Sequence, residues 1–366
     1  MRTTTRVHFR GPVLLATQLL ALALLAGPAA AGSASPLADK QLPGAGVTVP
    51  TGAPSLPAGL TGTAWLVADL DTGEVLAARD AHRQLRPAST LKVLTALTLI
   101  PRIERTSTIV PTFDDVNVEG SRVGLIENVR YPAYQVLRAM LMTSGNDAAN
   151  ALASAAGGAD VTAKSMNDEA RRIGAVDTVA VNASGLDAPG QLTTAYDMAL
   201  IARAAMELPD FRSYVGTKRS TILGRMGKPL RITTHDKLLF NYDGAIGIKN
   251  GYTAKAGATF IGAATRNGRT LVVTVLHAKP RVWPEVASLL DWGFAATSAG
   301  IAPIGQLDKP EVAAAAEEAG SFPVSPPLAV QATSGSGIAP LPLSLVVLTA
   351  GGTVVVMRRR RRPLSG

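Results

Sequence analysis

Ser89 and Lys92 stand three residues apart in the segment Pro87-Ala88-Ser89-Thr90-Leu91-Lys92. On a helix that spacing puts both side chains on one face, so the amine can reach the hydroxyl. A serine is a weak nucleophile until a base takes its proton. A lysine crowded by another cation, or partly buried, loses enough basicity to be that base. A helix N-terminus beside the serine adds free N–H groups and positive potential. Two further segments carry polar groups at short spacing. Thr143-Ser144-Gly145-Asn146-Asp147 supplies Ser-x-Asn, and Gly247-Ile248-Lys249-Asn250-Gly251-Tyr252-Thr253 supplies Lys-x-Gly. Singly, the first reads equally well as a helix cap with a solvated lysine, and the others as a loop and a turn. All three in this order and at wide separation are hard to explain by chance.

Other hydrolytic chemistries find little support. Of four histidines, His8 lies near the N-terminus, and His82, His235 and His277 show no metal-ligand spacing. There is no Gly-x-Ser-x-Gly elbow for a Ser-His-Asp hydrolase, and no glycine-rich phosphate loop. The absence of cysteine excludes thiol nucleophiles and disulfides. No metal or cofactor is expected.

The elements that must position these residues follow from the pattern. Thr63 to Asp69 and Glu74 to Arg79 are apolar and β-prone, with a turn at Asp71-Thr72-Gly73. Helices are expected over Ser89 to Ile100, Tyr134 to Met142, Asp147 to Ala156, Val161 to Ile173 and Thr194 to Met206. Ala258 to Thr265 and Thr270 to His277, joined by Asn267-Gly268, predict a hairpin, and Trp283 to Phe294 a closing helix. Strands at both ends with helices between them imply an α+β fold: one antiparallel sheet flanked by helices, with a helical insertion.

The chain ends read as topology signals. Residues 1–31 hold three arginines, an apolar stretch and Ala29-Ala30-Ala31, the pattern of a secretory signal peptide. Residues 32–60 read as a flexible lead-in, 61–300 as the catalytic domain and 301–340 as a Pro/Ala-rich spacer. Residues 341–357 carry no charge and suit a transmembrane helix, and Arg358 to Arg362 open a basic cytoplasmic tail, 358–366. The body is therefore expected on the extracytoplasmic face of the cell membrane. Of the net charge of +9, the leader supplies three units and the tail five, which leaves the body at about +1. Nucleic acid is not an expected partner of such a body.

The three motifs resemble those of the D-alanyl-D-alanine carboxypeptidases, the low-molecular-weight penicillin-binding proteins. The resemblance runs from about Ala64 to Phe294. It includes Asp69-Leu70-Asp71-Thr72-Gly73-Glu74-Val75-Leu76, Asn182-Ala183-Ser184-Gly185-Leu186-Asp187 and Thr193-Thr194-Ala195-Tyr196-Asp197-Met198-Ala199. It implies the serine β-lactamase and penicillin-binding-protein fold, peptidoglycan stem peptides as substrate, and β-lactams as covalent inhibitors. It implies Ser89 as nucleophile, Lys92 as base, Ser144 as proton relay and Asn146 as the residue that orients Lys92. Lys249 would attract the terminal carboxylate, with Asn250, Gly251, Tyr252 and Thr253 lining the substrate strand. The N–H groups of Ser89 and Tyr252 would form the oxyanion hole. Asn250 departs from the family's usual threonine, and about forty residues of spacer stand where many relatives carry a second, β-rich domain. A serine β-lactamase would need a Glu-x-x-Leu-Asn loop, which neither Glu169 nor Glu207 supplies. A non-catalytic wall-binding protein has Asn250 as its only support.

Overall fold

The computed structural model describes Leu42 and residues 45–307. The expected leader, the apolar run 341–357 and the arginine tail lie outside the described residues, as does the spacer beyond Leu307. Among the described residues no helix is long and apolar enough to cross a membrane.

The first strands are β1 (Val47–Thr48), β2 (Ala64–Asp69) and β3 (Glu74–Arg79). Asp69 Oδ1 accepts from the N–H groups of Asp71 and Thr72, both at 2.9 Å, which closes the β2–β3 turn as the Asp-Thr-Gly segment predicts. A 3₁₀ turn, Ala88–Leu91, runs straight into α1 (Lys92–Leu99). There follow β4 (Thr108–Ile109), α2 (Phe113–Val116), β5 (Tyr131–Pro132), α3 (Ala133–Thr143), α4 (Asn146–Ala155), α5 (Ala159–Arg172), α6 (Ala195–Met206) and α7 (Pro209–Val215). A separate hairpin, β6 (Arg219–Leu223) and β7 (Pro229–Thr233), precedes α8 (Leu238–Asn241). The chain then makes β8 (Ala245–Thr253), β9 (Gly257–Arg266), β10 (Arg269–Ala278), α9 (Trp283–Ser298) and β11 (Gly305–Gln306).

The main sheet is antiparallel in the order β1-β3-β2-β10-β9-β8, with β11 also on β3. The α+β arrangement expected from the sequence is therefore present, with both ends of the body completing one sheet around the helical insertion. Alternate residues of β2 face opposite cores. Trp65 and Val67 join Leu289 and Trp292 of α9, whereas Leu66 and Ala68 join the larger cluster of α1, α3 and α6. Both faces are covered, which explains why β2 reads as unbroken apolar sequence.

The packed body passes both of its expected limits, Thr61 and Gly300. Val47 and Thr48 pair with Arg79 and Ala78. Leu56 and Leu60 pack on the α9 side, and the Trp292 indole N–H donates to Pro54 O at 2.8 Å. Gly305 and Gln306 pair with Val75 and Glu74. The free edge of β3 needs hydrogen-bond partners, and two-residue strands from proline- and glycine-rich segments are enough to supply them.

Candidate active site

The 3₁₀ turn that carries Ser89 is fixed from below. Pro87 O accepts from the hydroxyls of Thr90, at 2.6 Å, and of Thr259 on β9, at 2.9 Å. Ala88 takes a left-handed φ of 47°, a sparsely populated conformation for a residue with a Cβ. One helical step on, Lys92 is fully buried. Its Nζ lies 3.1 Å from Ser89 Oγ and 2.7 Å from Asn146 Oδ1, and donates to Ser184 O as well. Burial pushes the Lys92 amine well below the usual lysine range. The Lys249 charge adds to this, and Asp147 opposes it.

Ser144 and Asn146 sit where α3 gives way to α4. Ser144 ends α3 in a left-handed conformation, φ 59°, and is buried with Asn146. Gly145 between them has no room for a Cβ, which would lie 2.4 Å from Val123 Cγ2. The loop 119–125 forms a roof here. Asn146 donates its backbone N–H to Ser121 O at 2.8 Å and its side-chain amide to Glu119 O at 2.7 Å. Asp147, fully buried, accepts from Val123, Gly124 and Leu125 N–H at 2.8, 2.8 and 3.0 Å, and from Ala148 N–H at 2.9 Å.

A second loop, 182–191, closes another side of the site. Asn182 Oδ1 accepts from Ser184 N, Ser184 Oγ and Gly185 N, and Gln191 ties the same loop through Val181, Asn182 and Leu186. Thr95 of α1 donates to Ala183 O at 2.8 Å. Gly185 has φ +78°, and a Cβ there would stand 2.0 Å from Ala88 O, so only glycine lets this loop lie against the serine turn.

On the third side, β8 is the edge of the sheet. A Cβ on Gly251 would stand 2.7 Å from Ser89 N, so β8 runs directly beside the serine backbone. Lys249 is buried, and its Nζ donates to Asn250 O at 2.6 Å. Burial pushes its amine down to about 7, with Asp236 pulling the other way. Asp236 is itself raised to about 6 by burial, and its Oδ2 has no hydrogen-bond partner. Asn250, Gly251 and Tyr252 border a bowl of about 540 Å³ with His235, Lys237 and Arg281. Lys237 and Arg281 line the bowl with no acid among its lining residues, so it is electropositive; burial, then Lys249 and Lys237, hold His235 below its usual range.

The structure thus brings Ser89 and Asn146 each into contact with Lys92, with Gly251 against Ser89 and Ser144 between α3 and α4. Tyr252 stands exposed on β8, and the Thr253 hydroxyl accepts from Ala256 N at 2.9 Å within the β8–β9 turn. Three residues outside the motifs prove to shape the site: Asp147, Ser184 and Asp236. The Asn-Ala-Ser-Gly run is the signal that marks Ser184, whereas nothing in the sequence shows that the Asp after Ser-x-Asn is buried. Asp236 had no signal beyond its apolar neighbours Leu238 and Leu239.

The chain is similar to known proteins in both sequence and fold. A sequence profile of the D-alanyl-D-alanine carboxypeptidase family matches residues 51–280. The chain is 44% identical over 253 residues to D-alanyl-D-alanine carboxypeptidase DacB2 of Mycobacterium tuberculosis, covering 67% of this chain and 86% of that one. It is 33% identical over 248 residues to D-alanyl-D-alanine carboxypeptidase DacD of Escherichia coli, spanning 62% of the length of that relative. Among solved structures, it is similar to a D-alanyl-D-alanine carboxypeptidase from Mycobacterium tuberculosis, with a TM-score of 0.65 and 42% identity, covering 68% of this chain and 96% of that one. It is also similar to a Streptomyces DD-transpeptidase, with a TM-score of 0.63 and 26% identity, covering 66% of this chain and all of that one.

Proposed function

The chain belongs to the D-alanyl-D-alanine carboxypeptidase family, and from that premise we propose that it removes the terminal D-alanine of peptidoglycan stem peptides through an acyl-enzyme on Ser89. The hydrogen-bond inventory of Lys92 carries this reading. The Asn146 amide nitrogen is committed to Glu119 O, so its Oδ1 faces Lys92 and can only accept. The Ser184 carbonyl can only accept too. An uncharged amine has two hydrogens and one lone pair. The two acceptors take the hydrogens, and the lone pair is left for the Ser89 hydroxyl at 3.1 Å. Burial and the nearby Lys249 favour that uncharged form.

Lys92 would take the hydroxyl proton as Ser89 Oγ bonds to the carbonyl carbon of the penultimate D-alanine. The N–H groups of Ser89 and Tyr252 would receive the developing oxyanion, each worth about 3 kcal/mol. Ser144 would pass the proton to the leaving nitrogen, the C–N bond would break, and D-alanine would depart. Water, deprotonated by Lys92, would then attack the ester carbonyl, and Ser89 Oγ would leave, taking that proton back from Lys92 as the shortened peptide departs as its carboxylic acid. The edge strand β8 offers its backbone to an extended peptide, with Lys249 and Asn250 for the terminal carboxylate. A β-lactam presents an acyl group and a carboxylate in similar relation and would acylate the same serine. The leader and the arginine tail support an exported protein held at the extracytoplasmic face of the membrane by residues 341–357.

Intact-mass analysis after incubation with penicillin tests the reading. One adduct is expected, mapped to Ser89 and absent from Ser89→Ala. An adduct on another serine, or one that persists in Ser89→Ala, overturns it.

A further inference from the structure

From Gly216 to Thr234 the chain carries Lys218, Arg219, Arg225, Lys228 and Arg231 and no acid. These residues build the β6–β7 hairpin. None of the five cations forms an ion pair with an acid among the described residues. Lys218 and Arg219 lie over the Phe240 ring, 5.8 and 5.7 Å from its centre, and the other three project from the arm. Of the strand side chains only Ile222 and Ile232 are buried, so these two fasten the arm to the body. The remaining apolar side chains keep part of their surface in solvent. Met226 at the tip is 87% exposed in a left-handed conformation, and Leu223 and Leu230 flank it at 39% and 37%. Met226 and Arg225 line a groove of about 720 Å³ with Phe113, itself 58% exposed, and Arg122. Two acids line the same groove: Glu127, and Asp147, whose carboxylate is already taken up by four N–H groups.

We infer that this hairpin is a docking arm for an anionic lipid bilayer. Five unpaired cations give attraction to a surface of phosphate headgroups. Charge alone would suit a soluble polyanion equally well, but Met226, Leu223 and Phe113 would then gain nothing from contact. A bilayer interface matches both parts, with headgroups for the arginines and lysines and the acyl boundary for the apolar tip. Because the groove is walled by the loop that holds Asn146, seating the arm would fix the mouth of the active site at the membrane surface. The inference does not depend on the carboxypeptidase reading.

The chain has no cysteine, so Met226→Cys in the full-length protein gives a single site for an environment-sensitive fluorophore. Position 226 is exposed, so the label should leave the fold intact. The protein is reconstituted with vesicles of phosphatidylcholine alone or of phosphatidylcholine with phosphatidylglycerol. A blue shift is expected with the anionic vesicles only. It should be lost when the five cations are changed to Gln, and weakened by raised salt. A label at Val176, exposed but outside the arm, should not respond. Equal shifts with both vesicle types, or an equal shift at Val176, overturn the inference. A full shift with soluble poly(glycerol phosphate) and no vesicles also overturns it, in favour of a wall-polymer partner.

Discussion

At the Ser89 end of the cleft, the Lys92 amine has three oxygen neighbours and Asn146 uses both ends of its amide. At the Lys249 end, a buried lysine shares its surroundings with a buried Asp236 that forms no ion pair with it and keeps one oxygen unpartnered. The first region is locked by geometry, and its chemistry changes only if an atom is removed or displaced. The second is held by balanced charges, so pH and single-charge substitutions can move it. On the proposed mechanism, the fixed geometry at the Ser89 end would govern rate and the adjustable electrostatics at the Lys249 end selectivity.

The locked end should show the larger effects. Lys92→Ala removes the amine that, among the described residues, hydrogen-bonds Ser89 Oγ and would take its proton. Loss of a positioned base lowers acylation by roughly 10²–10⁴-fold, and circular dichroism should show the fold retained. Acylation at the parental rate would assign the base elsewhere. Gly185→Ala tests geometry alone, since no functional group is lost. The new Cβ would meet Ala88 O at 2.0 Å and sit at φ +78°. The left-handed strain costs about 1–2 kcal/mol, and a shift of the serine turn by about 1 Å should slow acylation by about 10²-fold. Stopped-flow measurement with a chromogenic cephalosporin reads both variants.

The difference between the two ends also governs what was legible in the sequence. Ser-x-x-Lys is a local spacing on one helix, so its contact could be read directly. The opposed strands and their hairpins followed from apolar, β-prone runs and from the Asp-Thr-Gly and Asn-Gly turns. Asp147 could not be understood from sequence, because its partners are backbone N–H groups more than twenty residues upstream. Asp236 was invisible because its charged neighbour, Lys249, comes from β8 and not from its own segment. The β6–β7 hairpin escaped because only two of its strand residues are buried and no alternating pattern results. β1 and β11 escaped because two-residue strands carry no periodicity.

The adjustable end should respond more mildly. Asn250→Thr exchanges an amide donor for a shorter hydroxyl at the rim of the electropositive bowl. A misaligned hydrogen bond to a charged group costs at most about 1.5–3 kcal/mol, or tenfold to a hundredfold. The ratio of peptide hydrolysis to penicillin acylation should therefore shift within that range. A parent protein inert towards peptide, with full turnover restored in Asn250→Thr, would instead make the native chain a binding protein.

Asp236→Asn should have the smallest effect at neutral pH and the clearest signature across pH. Burial holds Lys249 near 7, against 10.5 for an ordinary lysine, and Asp236 near 6, against 3.8 for an ordinary aspartate. Between about 7 and 10.5 the unfolded chain holds more protons on this lysine than the folded one, so this group makes stability rise with pH there. Between 3.8 and about 6 the folded chain holds more protons on Asp236, so this group makes stability fall as pH rises. In activity, a protonated Lys249 is the form that would attract a substrate carboxylate on the proposed mechanism, so kcat/KM for a D-Ala-D-Ala peptide should decline as pH passes about 7. Asp236 is the group that opposes the depression of Lys249. Its removal lets the lysine lose its proton earlier, and the decline should move to lower pH. The loss at neutral pH should be less than about tenfold, the equivalent of one pKa unit. Asn can still accept from Leu238 N–H, as Asp236 Oδ1 does at 2.8 Å, so the local turn is kept. A pH profile of kcat/KM decides the matter: a decline that stays in place in Asp236→Asn belongs to a group other than Lys249, and the contrast between a locked end and an adjustable one would then rest on packing alone.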